Sequence, residues 1–156
     1  MGSHYMLTRE RLRLTAGSLT VLVALLHLAH PTLGVRGLYI YTLAGTPLID
    51  PRPLAFTFSG LVVLAGVLSV RAGVIPRRPA YLAGSIVMAT FLLGYVAWHM
   101  TGHGGFWPTL EPRTHLGNPI EILLVHLLND SWELISKLAE LAALVLWVYL
   151  FRVDRS

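Results

Sequence analysis

The sequence predicts an all-α integral membrane protein with four transmembrane helices in an antiparallel bundle and both the N and C termini cytoplasmic. Three observations carry this reading. Of 156 residues, 54% are hydrophobic and only 13% charged, a balance outside that of ordinary soluble domains. The apolar residues gather into four runs, each long enough to cross a hydrocarbon core of roughly 30 Å as a helix. The cations flank these runs unevenly: Arg9, Arg11, Arg13, Arg71, Arg77, Arg78, Arg152 and Arg155 fall on one side, against Arg36, Arg52 and Arg113 on the other. The positive-inside rule assigns the richer side to the cytoplasm, and an even number of crossings puts both ends there.

The chain reads as a single transmembrane domain over 1–156. Residues 1–8 include "MGSHYM", which has the look of an added tag or a disordered terminus, so His4 stays outside the functional argument. The first helix is expected over 10–30, "ERLRLTAGSLTVLVALLHLAH", stopped by Pro31, because a proline disfavours helical geometry in the residue before it. No small-x-small cleavage site follows, so this segment is expected to stay as an uncleaved helix. Residues 31–52 form an unusually apolar loop, expected to lie on the helix ends or in the interface with Tyr39 and Tyr41 at headgroup level.

The second helix is placed at 53–72, opening on Pro53, a residue suited to a first helical turn. "RAGVIPRRP" then makes a tight basic turn. The third helix covers 80–101 and runs into "TGHGG", and 102–118 is a second loop. The fourth is placed at 119–151 behind Pro119. About 33 residues is too long for a simple crossing at ~1.5 Å per residue. Either the first turns lie in or above the interface, or the helix tilts strongly.

Several chemistries drop out. The chain has no cysteine, so disulfides, iron–sulfur clusters and thiolate metal sites are excluded. There is no Gly-rich phosphate loop, nucleophile elbow or Walker-type lysine. The net charge of +4 comes largely from arginines beside apolar runs; they read as topology signals and point to no nucleic acid partner. The expected surroundings are the lipid bilayer of the cell membrane, crossed several times.

The histidines carry the functional signal. With this topology His27 and His30 lie at the outer end of the first helix, His99 and His103 at the outer end of the third, His115 in the outer second loop, and His126 early in the fourth. Residues three or four apart share a helix face, so His27 with His30, and His99 with His103 if the helix persists to Gly102, can each chelate an ion. Imidazole suits Zn, Cu, Fe or Ni, and Met100 adds a soft donor that would favour copper. Taken singly, each histidine is more simply an interfacial or hydrogen-bonded residue; the paired spacings on two helices are what point to a metal. Asp50, Glu111, Glu121 and Asp130 are candidate oxygen ligands or outer partners. A b-type haem is the rival cofactor, needing one axial histidine from each of two helices, as His27 with His99 or His30 with His126 would supply. It leaves the doubled spacing unexplained.

On the fourth helix His126, Asp130, Glu133, Lys137 and Glu140 follow one another at spacings of four, three, four and three, within about 80° of arc on one face. Charges inside a bilayer cost about 2.5–3.5 kcal/mol each on insertion scales and normally face a bundle interior or wet cavity. Lys137 can pair with Glu133 or Glu140. The stripe reads either as a salt-bridge ladder or as support and proton relay for a metal site. If instead 119–130 lies flat on the outer surface, His126 and Asp130 belong to a solvated face, and the sequence leaves this open.

The expected function is therefore a small integral membrane protein with a histidine-rich, redox-capable metal site at the extracytoplasmic end, its ligands drawn from His27, His30, His99, His103 and His126. Asp130, Glu133, Lys137 and Glu140 support it or relay protons, and the cofactor is a transition metal ion (Zn, Cu or Fe) or haem b. Alternatives are a b-type cytochrome electron carrier, a non-catalytic subunit, or a proton- or ion-conducting protein. In the last two the polar face of the fourth helix meets a partner subunit or a second copy, or carries the ion. Whether the protein is an enzyme is left open, as are its catalytic residues; a catalytic metal would act on a small or lipid-soluble substrate at the outer interface.

Overall fold

Four helices are long and apolar enough to cross a membrane: Thr8–Ala29, Arg52–Arg71, Arg77–Met100 and Ser131–Val153. The computed structural model describes residues 2–112 and 118–154, with side chains from Thr8 onward. Among these residues it is all helical: α1 (Gly2–Ala29), α2 (Val35–Leu43), α3 (Arg52–Arg71), α4 (Arg77–Met100), α5 (Pro119–Asn129) and α6 (Ser131–Val153). Arg113, His115 and Arg155 lie outside the described residues.

Where the sequence reading expects one helix over 119–151, the chain makes two. Asp130 leaves helical geometry (φ −115°, ψ 102°), and its Oδ1 accepts the backbone N–H of Trp132 at 2.8 Å and of Glu133 at 3.2 Å. This is an aspartate N-cap, satisfying donors that the first turn of any helix leaves orphaned. The crossing-length helix therefore starts at Ser131, and the excess length becomes α5, capped in turn by Asn118 Oδ1 on the Ile120 N–H (2.9 Å). The loop expected over 31–52 also contains an element, α2, which exposes Tyr39, Ile40 and Leu43. Helix α4 begins at Arg77 instead of 80, because Pro79 falls in its first turn, where no N–H partner is needed.

Helix α1 packs against both α3 and α6, and α4 packs against α6, whereas α3 and α4 hardly touch. The core lies where α1, α4 and α6 meet: Val23, Met88, Ala139 and Ala143 form one buried cluster, and Ala16, Tyr81 and Leu150 another. Between spans in lipid, side chains such as Met88 and Leu150 hold the helices by close packing instead of by escape from water. On the α1–α3 contact a Cβ at Gly60 would come within 2.7 Å of Leu28 Cγ and 3.0 Å of the Ala24 carbonyl oxygen, so glycine is what lets these two helices close. The outer faces stay greasy: Leu61, Leu68, Leu93 and Val145 are all exposed, as lipid-facing positions would be.

One end of the helices is fastened by polar groups. The carboxylate of Asp154, at the end of α6, is almost wholly buried. It accepts from Arg13 Nε of α1 at 3.0 Å and from Tyr81 Oη of α4 at 2.7 Å, with Arg13 Nη2 also in contact. Nearby, Trp147 Nε1 donates to Thr20 Oγ1 at 2.9 Å. A charge-assisted cluster of this kind joins three helices where apolar packing alone would let them slide.

Candidate metal centre

At the opposite end, α4 runs out at Met100 and the chain turns through three successive left-handed residues: Gly102 (φ 67°), His103 (φ 59°) and Gly104 (φ 87°). A left-handed histidine is uncommon and is held only where its surroundings over-determine it. The turn is pinned on both sides. A Cβ at Gly104 would sit 2.3 Å from the Trp98 ring, and the following loop is clasped to the first one by Trp107 Nε1 on the Leu48 carbonyl (3.0 Å) and Thr109 Oγ1 on the Ile49 carbonyl (2.7 Å).

This turn carries the His103 ring back beside His99, with ring centroids 5.0 Å apart. The break at Asp130 does the rest. Helix α5 folds against the C-terminal end of α4, tied by Tyr95 Oη donating to the Leu123 carbonyl at 3.3 Å, and His126 arrives 4.9 Å from the His99 ring and 4.7 Å from the His103 ring. One ligand atom from each of the three histidines lies within 4.8 Å of the other two. A tetrahedral ion with bonds of about 2.0–2.1 Å holds its nitrogens roughly 3.3 Å apart, so small ring rotations would bring the three to bonding distance. The His99 ring is also oriented by its backbone, with Nδ1 meeting the Tyr95 carbonyl at 2.9 Å. That nitrogen must therefore carry the proton, which places the lone pair on Nε2 and fixes the ring as outer-shell hydrogen bonds fix metal-binding histidines.

Two of the five histidines singled out in the sequence go elsewhere. His27 is buried, its Nδ1–H donating to the Val23 carbonyl at 2.9 Å, its ring between Phe56 (4.7 Å) and Phe91 (4.5 Å), and its Nε2 at 3.9 Å from Glu140 Oε1. The Glu140 carboxylate therefore lies beside His27 Nε2, the nitrogen that an axial haem ligand would use. His30 closes the end of α1: its Nδ1 accepts the backbone N–H groups of Leu33 at 3.0 Å and Thr32 at 3.3 Å. The two residues share a helix, but neither belongs to the three-histidine group.

The remaining candidates have defined places. Asp130 is the α6 cap. Glu133 contacts the Tyr95 hydroxyl. Lys137 pairs with Glu140, Nζ lying 2.7 Å from Oε2 and 2.8 Å from Oε1, and Ser136 Oγ adds a third bond to that carboxylate at 2.9 Å. Asp50 binds Arg52, Nη2 to Oδ2 at 2.7 Å, and the Arg52 guanidinium lies over the Trp98 ring at 4.3 Å. Met100, Glu111 and Glu121 are exposed. Sequence reasoning did not anticipate Tyr95, which joins α4, α5 and Glu133; its spacing of four from His99 is the signal that could have marked it.

His30 supplies a pH prediction. Burial lowers its pKa below the ordinary 6.5; nearby Asp130 opposes the shift, while His27 and Arg52 add to it. The folded protein thus binds fewer protons at this site than the unfolded chain, and stability must fall as pH drops below about 6.5 toward the lowered value. Protonated Nδ1 can no longer accept the two N–H groups. Unfolding of detergent-solubilised protein followed by circular dichroism from pH 8 to 5 should show this loss, and His30→Asn, which keeps an acceptor but does not titrate, should flatten it.

Comparison with known proteins finds no matching family, no similar curated protein and no similar solved structure. The function must be argued from these side chains.

Proposed function

We propose that this is a membrane metal-binding protein whose ion is held by His99, His103 and His126 at the extracytoplasmic end of an antiparallel four-helix bundle, with both termini in the cytoplasm. The orientation rests on the arginine bias, and the bundle reading is supported by Arg13, in the N-terminal half of α1, meeting Asp154 at the end of α6. The observation that carries the metal reading is the mutual approach of three imidazoles from three different elements, α4, the left-handed turn and α5.

Three neutral nitrogens without thiolate favour a borderline divalent ion such as Zn²⁺, Cu²⁺ or Fe²⁺. Three protein ligands also match the pattern in which the fourth position is left to water or substrate. Such an ion would supply a Lewis acid or an activated water at that position.

The test is metal stoichiometry. Protein stripped with chelator and titrated with Co²⁺ should take up one ion per chain and develop visible absorption, with Zn²⁺ displacing it. A ligand present at 100 times its Kd should stabilise the fold by about 2.7 kcal/mol. No uptake above background sinks the reading, and a Soret band in the purified protein would assign haem instead.

A further inference from the structure

Beside the metal centre, and sharing only His99 with it, lies a cavity of ≈ 390 Å³, within the range of about 300–1,000 Å³ usual for small-molecule sites. It exists because α3 and α4 hardly touch. The facing positions at its mouth are small and exposed: Ala55 on α3, Thr90 and Gly94 on α4. Both helices are apolar enough to span a bilayer, so in a membrane this mouth opens sideways onto lipid. Its walls are largely aromatic, with Phe56, Phe91, Trp98 and Trp132, and its polar groups include His27, His30, Arg52, Glu133 and Lys137.

The charge pattern narrows the occupant. Both cations on the wall are already neutralised, Arg52 by Asp50 and Lys137 by Glu140, each at 2.7 Å. An anionic head such as a fatty-acid carboxylate would find no unpaired cation, and burying it there would be costly. A neutral head that exchanges hydrogen bonds suits the walls better: His30, whose Nδ1 accepts backbone N–H groups, carries its proton on Nε2 and can donate it, and Glu133 brings a carboxyl group. Flat aromatic walls favour a planar ring by stacking, and access from lipid favours an alkyl tail. We infer that this cleft binds a lipid-soluble quinone or quinol, the ring held between the aromatic walls and the tail leaving between α3 and α4. The inference stands whether or not the three histidines hold a metal.

Trp98 and Trp132 provide the readout, because a benzoquinone quenches indole fluorescence on contact. Protein in lipid nanodiscs titrated with a decyl-substituted benzoquinone should show a saturable quenching component. Gly94→Phe should abolish that component without unfolding the protein, since a Cβ at Gly94 meets nothing within 4 Å and points into open space. Gly94→Ala should retain it. Ala55→Phe, from the facing helix, gives an independent plug should the first variant fold poorly. Quenching that never saturates, or that survives both plugs in folded protein, overturns the proposal. So does equal competition by 1-decanol, which would make the cleft a general alkyl crevice.

Discussion

His126→Ala should weaken Co²⁺ or Zn²⁺ binding by more than about 100-fold, since even outer-shell substitutions around bound metals cost 10–100-fold and this change removes a ligand outright. The fold should survive. Helix α5 contributes no buried residue, so its side chains carry little of the core, and the four crossing helices do not depend on the imidazole. His99→Ala and His103→Ala should each cost about as much as His126→Ala, because ligands that act as a unit are not additive. His30→Asn should leave affinity unchanged, its ring being occupied with the end of α1. The measurement is a competition titration against a chromophoric chelator, paired with circular dichroism to confirm folding. Wild-type affinity in His126→Ala would remove the three-histidine centre from consideration, since no pair of remaining rings could account for it.

Much of this arrangement is legible in the sequence, because hydropathy acts over whole segments. The four spans follow from length and apolarity, and the gathering of histidines toward one end follows from where they fall along those spans. What could not be read is which rings turn toward which neighbours. His27 and His30 have the spacing of a chelating pair, but the backbone donors past the end of α1 claim His30, and the Val23 carbonyl with the rings of Phe56 and Phe91 holds His27. His99 and His103 do meet, although not as neighbours on one helix: the chain leaves α4 at Met100 and returns through a left-handed turn that depends on glycine at 102 and 104. His126 reaches them because Asp130 prefers capping to continuing a helix. The "ND" preceding "SWE" is a local signal for that break, and the strong period of charges running through it hides the signal. Spacing along a helix is a guide to side-chain partners only as far as the helix continues.

That same charged stripe sets the second large effect. Lys137→Met should destabilise the protein by roughly 3–5 kcal/mol, the usual consequence of leaving one member of a buried ion pair without its partner. Glu140 is fully buried and Lys137 touches both of its oxygens. With the lysine gone, the Ser136 hydroxyl is the one hydrogen-bond donor left to the carboxylate among the described residues. The double variant Lys137→Met/Glu140→Leu should recover most of the loss, because a well-packed apolar pair can replace a buried ionic one at little cost. Proton flux in the recovered double variant separates two roles for the pair. If it holds α6 in place, stability returns in the double variant and metal affinity changes in neither, since neither residue belongs to the three-histidine group. If the stripe instead conducts protons from the three-histidine group, the double variant should be as stable as wild type yet fail to dissipate a pH gradient across liposomes that the wild-type protein dissipates. Denaturant titration in detergent and a pH-dye assay in liposomes measure these outcomes, and a Lys137→Met protein as stable as wild type would show that Glu140 does not rely on the lysine at all.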